Sequence, residues 1–431
     1  MTPAIIFVVA LALRLVWVLL PDQAGFYDPI YDNTLADYPR NRTDDASFYL
    51  LTGRSLAEGD GYVEPFTDGA TARAPPGWSA VLAIFYYAFG PTVLPALVLN
   101  AVAGAATAVV VYLLGLQIFG RGTATAAGLA MAFFPGHILY SSVPTPMVFF
   151  TFLLALTLLL FCHASKDWHV CALGLTVGAA AMMRPEAVAL PAAFLVVWIL
   201  QLGSLRKAVR RTALVGLAMV LILLPWAVRS SVQLGSPVLL TTRGGIILMI
   251  GHGDGASGGF DFERFQSLWE EYEHLPEPDR QVEMDAAALD RAWSAIRRHP
   301  AQSVALVPKK LWETYGHDPI WLFGLILYKP LWVGPVSFEQ ARMATDVYYY
   351  VVIAAAWLVV VVRLPTRRRG GYALLLSIVA LWSFLYGFVF FGNLRYHMPL
   401  LPILALLAAA GIGGLRARVQ DFQRTDPVPF H

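Results

Sequence analysis

Two adjacent carboxylates, Asp44 and Asp45, lie in the run Arg42-Thr-Asp-Asp-Ala-Ser-Phe-Tyr49, within the only long polar stretch of the first half of the chain. One apolar segment, Ala4–Leu20, precedes it, and nearly everything from there to Val228 is hydrophobic. A carboxylate pair on a water-facing loop at the mouth of a membrane bundle points to chemistry at a bilayer surface. Other charges interrupt or flank apolar runs, where polar groups are costly and usually functional. They are Arg14, the pair Arg184 and Glu186 in Met183-Arg-Pro-Glu186, Lys309-Lys310, and Arg395-Tyr396-His397. Tyr49, Tyr396 and His252 are further site candidates.

The elements that must position these residues are membrane helices. The chain is 57% hydrophobic and 14% charged, well below the roughly one-quarter charged residues of soluble domains. Apolar runs near the roughly 18–20 residues needed to cross a bilayer recur along it. The expected fold class is therefore an all-α polytopic membrane protein. A barrel would show short alternating strands instead. The net charge of +2 is sorted by loop rather than concentrated, and no patch suits nucleic acid. The first segment lacks a basic leader and a small-residue cleavage site, so it is expected to be a retained helix.

Expected spans are Ala4–Leu20, Val93–Ile118, Thr123–Gly136, Val148–Cys162, Trp168–Met183, Ala187–Leu202, Ala213–Val228, Val347–Val362, Tyr372–Phe391 and Pro399–Leu415, about ten in all. Gly77–Phe89 is short and follows Pro75-Pro76, which suits a re-entrant or interfacial helix. Arg121, Lys166, the cluster Arg206 to Arg211, Arg363 to Arg369, and Arg416 with Arg418 fall at alternate turns. The excess of Lys and Arg in cytoplasmic loops then orients the chain with both termini inside. Two polar segments face outward, the first loop over residues 21–92 and a second over 229–346 of a single membrane domain spanning 1–431. In the second, Asp285–His299 has helical periodicity and stops at Pro300. Cys162 and Cys171 flank Lys166 on the cytoplasmic side and are expected to be free thiols.

With that topology, Arg14, Arg184, Glu186, Arg395, Lys309 and Lys310 gather near one membrane face, as a site for an anionic lipid headgroup requires. Each has a structural alternative. Arg14 can snorkel or bind a neighbouring carbonyl, Arg184 and Glu186 can simply pair with each other, and the lysines can anchor a helix among headgroups. Asp44 and Asp45 can be solvated charges or a cap for a helix beginning near Ala46.

Several motifs taken in order resemble the GT-C glycosyltransferases, in particular the protein O-mannosyltransferase and lipid A aminoarabinose transferase group. They are Asp45-Ala-Ser-Phe-Tyr49 to Leu56-Ala-Glu-Gly-Asp-Gly-Tyr62, then Pro75-Pro-Gly-Trp78, then Gly178-Ala-Ala-Ala-Met-Met-Arg-Pro-Glu186. They continue with Leu224-Pro-Trp-Ala-Val-Arg229 and Gly235-Ser-Pro237, Arg243-Gly-Gly245 to Gly251, His299-Pro300 with Lys310-Leu311, and Arg395-Tyr396 to Pro399-Leu-Leu-Pro402. The resemblance implies a GT-C-type bundle of about ten transmembrane helices, with interfacial helices in two external loops and the first loop folded over a cavity. It implies a sugar donor carried on polyprenyl phosphate as co-substrate, no other cofactor and no metal. The acceptor would be a hydroxyl of a glycan, lipid or protein, with membrane lipids around it and no nucleic acid.

On this resemblance Asp45 matches the family's base, with Asp44 the near alternative. Arg184, Arg395 and Lys310 are candidates for the donor phosphate, with Lys309 and Arg14 behind them. The chain would lie in a bacterial-type inner or plasma membrane with its active site outside. One departure stands out: Ser141-Ser-Val-Pro-Thr-Pro-Met147 carries Pro146 near the position where many relatives have an acid. A transporter or flippase of a lipid-linked sugar would use the same cations without a base. A surface-polysaccharide polymerase or ligase would share the fold, and both readings stay open on the residues alone.

Overall fold

A computed structural model describes residues 2–19, 45–67, 69–318, 338–361 and 369–425. Asp44 and the basic residues Arg363, Arg367 and Arg368 lie outside the described residues. The described chain is almost entirely helical, with an isolated antiparallel bridge between Val63 and Ala70. Among the described residues, five helical stretches are long and apolar enough to cross a bilayer: Leu94–Ile118, Pro185–Leu202, Leu205–Leu234, Gly370–Val389 and Leu394–Arg418. Four shorter apolar helices accompany them, Pro3–Leu19, Gly77–Phe89, Met147–His163 and Asp167–Met183. This is the expected all-α membrane architecture.

In chain order the helices are α1 (Pro3–Leu19), α2 (Asp45–Glu58), α3 (Gly77–Phe89), α4 (Leu94–Ile118), α5 (Arg121–Ala132), α6 (Pro135–Tyr140), α7 (Met147–His163) and α8 (Asp167–Met183). A 3-10 turn, Pro185–Ala189, leads into α9 (Leu190–Leu202) and then α10 (Leu205–Leu234). Next come α11 (Gly244–His252), α12 (Phe262–Tyr272), α13 (Asp279–Arg298), α14 (Pro300–Ala305) and α15 (Val307–Tyr315). The chain finishes with α16 (Phe338–Val361), α17 (Arg369–Phe384) with a π-helical turn at Leu385–Val389, a 3-10 segment Leu394–Leu400, and α18 (Leu401–Thr425).

Several boundaries differ from the expected spans: α10 begins at Leu205 rather than Ala213, α16 at Phe338 rather than Val347, and α18 runs on to Thr425. Thr123–Gly136 is not one helix. A proline disfavours helical geometry in the residue before it, and Phe134, at ψ 107°, is extended just ahead of Pro135. Helix α10 runs past Val228 to Leu234 with Pro225 inside it, and Gly235 closes the helix in a left-handed turn (φ 63°). The expected helix at Asp285–His299 begins earlier, at Asp279, and does stop before Pro300.

Helices α8 and α10 pack closely because small residues let their backbones approach. A Cβ added at Gly174 would meet the Val215 carbonyl oxygen at 2.5 Å. Helix α10 also sets the long axis of the bundle. Its first turns hold Arg206, Lys207, Arg210 and Arg211, and Arg229 near its far end donates to the carbonyls of Thr71 (2.7 Å) and Tyr62 (2.6 Å). From Arg211 to Arg229 is about 27 Å at 1.5 Å per residue, close to the ~30 Å of a hydrocarbon core. The basic cluster and the first polar loop are thus at opposite ends. At 13 residues, α3 covers only about 20 Å and packs on α2 and α8. Cys162 and Cys171 are free, as expected.

Candidate active site

Asp45 is the first residue of α2, where the helix dipole favours a negative side chain. Its Oδ2 accepts a hydrogen bond from Arg395 Nη1 at 2.7 Å, and its Oδ1 lies 3.5 Å from Arg243 Nη1. About a third of the carboxylate side chain, 32%, stays exposed, so an incoming group can reach it. Burial alone would push this carboxyl up. The charges of Arg395, Arg243 and Arg73 and the Arg395 hydrogen bond outweigh it and hold the group well below the usual carboxylate range. In this state Asp45 is ionised but a weak base.

Arg395 opens the 3-10 segment, whose start is capped by the Asn393 side chain accepting from Arg395 N at 3.1 Å. Arg184 follows α8, and its Nε and Nη2 donate to Glu186 Oε1 at 3.1 and 2.5 Å. Both guanidiniums lie on one aromatic ring. Arg184 is 5.4 Å and Arg395 5.5 Å from the centroid of Tyr396, within cation–π reach. Tyr396 stacks on Tyr386 at 4.5 Å and 20°, and the Tyr386 hydroxyl donates to Glu186 Oε1. Asp45, Arg395, Tyr396, Tyr386, Glu186 and Arg184 therefore form one continuous cluster from three distant parts of the chain. Tyr49, one turn along α2, is part of it. Burial first, then the Asp45 charge, pushes its phenol up to about 12 against Arg184, Arg243 and Arg395, so it remains a hydrogen donor.

The first loop is clamped to the second by Gln281 of α13. Its Oε1 accepts from Ala72 N (2.9 Å) and the Thr242 hydroxyl (3.0 Å), and its Nε2 donates to Ala70 O (2.9 Å). A backbone bond from Thr242 N to Ala72 O (3.0 Å) completes the seam. This seam brings Arg73, ion-paired with Glu64 at 3.3 Å, and Arg243 toward Asp45.

The structure thus gathers Asp45, Arg184, Glu186, Arg395, Tyr49 and Tyr396, and it adds Arg73, Arg243 and Tyr386. Arg243 lies in a motif the sequence already offers, Arg243-Gly-Gly245, whereas nothing local marks Tyr386. The remaining candidates go elsewhere. Arg14 is fully buried and is spent on the carbonyls of Ala10 (2.9 Å), Ala132 (3.2 Å) and Met131 (3.3 Å) and on His137 Nδ1 (3.2 Å). It ties α1 to the break between α5 and α6, which is the structural alternative rather than a phosphate contact. Lys309 is exposed beside Gly258. The Pro146 loop is held by Asn100, donating to Val143 O (2.9 Å), and by Trp78, donating to Pro144 O (3.2 Å). The buried carboxylate that the structure does place in the cluster is Glu186.

Lys310 is buried against His252, with Nζ 2.8 Å from Nε2, and Nε2 is 3.0 Å from the Phe388 carbonyl. The pair meets the segment that carries Tyr386 at the Phe388 carbonyl. Burial first, then the Lys310 charge, pulls His252 down to about 4, against its bonds to Phe388 and Val389, and burial pulls Lys310 down to about 8. A neutral imidazole is therefore favoured by folding. As pH falls from about 6.5, the ordinary histidine value, toward 4, the unfolded chain takes up a proton that the folded chain refuses, and stability declines. The melting temperature in detergent will drop across that window, and His252→Gln will flatten the slope. An identical slope in both proteins would remove His252 as the cause.

Residues 73–228 match the family described as dolichyl-phosphate-mannose-protein mannosyltransferase. No curated protein matches the sequence. Among solved structures, the oligosaccharyltransferase AglB from Archaeoglobus fulgidus, in complex with an inhibitory peptide and a dolichol-phosphate, is similar over 100% of this chain and 52% of its own, with 14% identity and a TM-score of 0.54. The Archaeoglobus fulgidus oligosaccharyltransferase tethered to an acceptor peptide gives 0.56 at 14% identity, over 99% of this chain and 51% of that one. The chain spans about half the length of these structures. ArnT from Cupriavidus metallidurans bound to undecaprenyl phosphate is aligned over 99% of this chain and 81% of its own, at 17% identity and a TM-score of 0.44. The family match thus covers residues 73–228, and the likeness to the oligosaccharyltransferase structures is one of membrane fold.

Proposed function

We propose that the chain is a membrane glycosyltransferase that moves a sugar from a polyprenyl-phosphate donor to a hydroxyl acceptor, by one inverting displacement on the extracytoplasmic side. The observation that carries this reading is Asp45, a partly exposed carboxylate paired with Arg395 and Arg243 and adjoining the Arg184–Tyr396 side of the same cluster. The basic residues at the opposite end of α10 support the sidedness.

An alcohol is a poor nucleophile near neutral pH, so a carboxylate that accepts its proton lowers the barrier. The acceptor oxygen bonds to the anomeric carbon while the carbon–oxygen bond to phosphate breaks. The proton passes to Asp45 and the electron pair leaves with the lipid phosphate. That growing charge needs cations, and guanidinium forks suit phosphate oxygens. Arg395, Arg243 and Arg184 are the clamp, with Arg73 beside them, and their fixed positive charge fills the part a divalent metal plays in other transferases. A donor phosphate competes with Asp45 for these arginines. Its arrival loosens the ion pairs that depress the carboxyl, so the base becomes stronger once the donor is seated.

The test is reconstitution of the full chain in nanodiscs with polyprenyl-phosphate hexoses and pentoses and a panel of hydroxyl acceptors. Release of polyprenyl phosphate matched by glycosylated product is expected. Donor that binds yet returns unchanged with every acceptor would overturn the reading in favour of a lipid-sugar carrier.

A further inference from the structure

Glu186 is 8% exposed, and its contacts are lopsided. Arg184 Nε, Arg184 Nη2 and the Tyr386 hydroxyl all converge on Oε1. Oε2 is buried and has no hydrogen-bond partner among the described residues. An ionised carboxylate has room for about four hydrogen bonds across its two oxygens, and a buried acceptor left unpaired is costly. The same cluster contains a buried donor without a partner, Arg395 Nε. These two unsatisfied groups of opposite character, on side chains linked through the Tyr396 and Tyr386 rings, suit a polyhydroxylated ligand, whose hydroxyls both donate and accept.

Resting on the glycosyl-transfer reading, we infer that Glu186 Oε2 is a specificity contact for the donor sugar, accepting a hydrogen bond from one of its hydroxyl groups. The position fits that role. Arg184, two residues away and bound to the other oxygen, is in the phosphate clamp, so a phosphate held there delivers its sugar beside Glu186. An acceptor-only oxygen selects a group that brings its own hydrogen, and Oε1 is already saturated. This assignment also places a second carboxylate at the site by a different route from the acid that Pro146 displaces.

The test compares binding of sugar-linked polyprenyl phosphate with binding of polyprenyl phosphate alone, using the full chain in nanodiscs. A hydrogen bond to a charged partner corresponds to roughly a 10- to 100-fold change in affinity. Glu186→Gln is expected to weaken the sugar-linked donor by that factor and to leave the sugar-free lipid within about three-fold of wild type. Equal weakening of both would show that Glu186 only positions Arg184, and no change in either would equally overturn the contact. A series of monodeoxy donors gives the complementary measurement on the wild type. One of them should bind about 10-fold more weakly, and that penalty should vanish in Glu186→Gln; a series that binds uniformly overturns the inference. If Glu186→Gln does not fold, Glu186→Asp keeps the charge beside Arg184, draws Oε2 back, and carries the same expectation. Failure of the parent reading looks different: the wild type would discriminate among sugars yet transfer none.

Discussion

Asp45→Asn will lower the rate of sugar transfer by about 10²- to 10⁴-fold, the usual cost of losing a general base. Asparagine has nearly the same shape and can still accept from Arg395, so α2 and the fold should survive. It cannot take the acceptor's proton. Donor binding separates this role from a structural one. The Asp45 carboxylate occupies Arg395 at 2.7 Å and Arg243 at 3.5 Å, in competition with the lipid phosphate. Removing its charge leaves donor affinity unchanged or raises it while turnover collapses. Initial rates at saturating donor, set beside equilibrium binding of polyprenyl phosphate, read both effects. Transfer near the wild-type rate would take Asp45 out of the mechanism, and a parallel loss of donor binding would make it an architectural residue.

The second large effect is at Arg395. Arg395→Ala removes the cation closest to Asp45 and one of the two guanidiniums lying on Tyr396. Loss of one donor aimed at developing negative charge costs about 10²- to 10³-fold in turnover, and donor affinity should fall with it. Arg395→Lys should restore only part of either, because an ammonium presents a point charge rather than a planar fork. The substitution also strips the largest charge that depresses Asp45. Its carboxyl then moves up toward the ordinary value near 4, and an acid-side fall in activity should appear at higher pH in the variant than in the wild type. Unaltered donor affinity in Arg395→Ala would locate the phosphate elsewhere, with Arg184 and Arg243 the first places to look.

The two effects are not additive. Asp45 and Arg395 share a bond, and contacting residues couple. In Asp45→Asn the arginine is freed, and in Arg395→Ala the carboxylate is. The double variant should therefore lose less than the product of the single losses, and a strictly multiplicative result would argue that the pair does not act as a unit.

How legible the site is varies residue by residue. Arg184 and Glu186 are two positions apart, and their ion pair is the plain structural option that the sequence allows; the structure keeps it and adds Tyr386, 200 residues away. Arg14 reads as an intramembrane charge with a possible role at the headgroup. The buried carbonyls of Met131 and Ala132, in the last turn of α5 ahead of Pro135, take it instead. Lys310 reads as a phosphate ligand because it stands at a membrane edge, yet its stem folds inward and its ammonium meets His252. Arg243 was visible as part of a motif but without a role, since nothing near it in the chain indicates that Gln281 and Thr242 will pull its loop against α2.

What the sequence determines by itself is the local physics. Long apolar runs must be helices in lipid, because every backbone group needs an internal partner there. Proline and glycine end them, the amphipathic repeat of α13 must bury Gln281, Met284, Ala288 and Ala292, and the basic clusters sort to one end. What only the tertiary structure decides is which charges meet. Asp45 and Arg395 are separated by 350 residues, and no period or propensity encodes a distance across a bundle. That choice is made by the packing of helices with small residues at their contacts and by the seam that lays one polar loop on the other. A buried charge accepts whichever partner that packing brings within reach, because leaving it unpaired costs more than any local preference can supply.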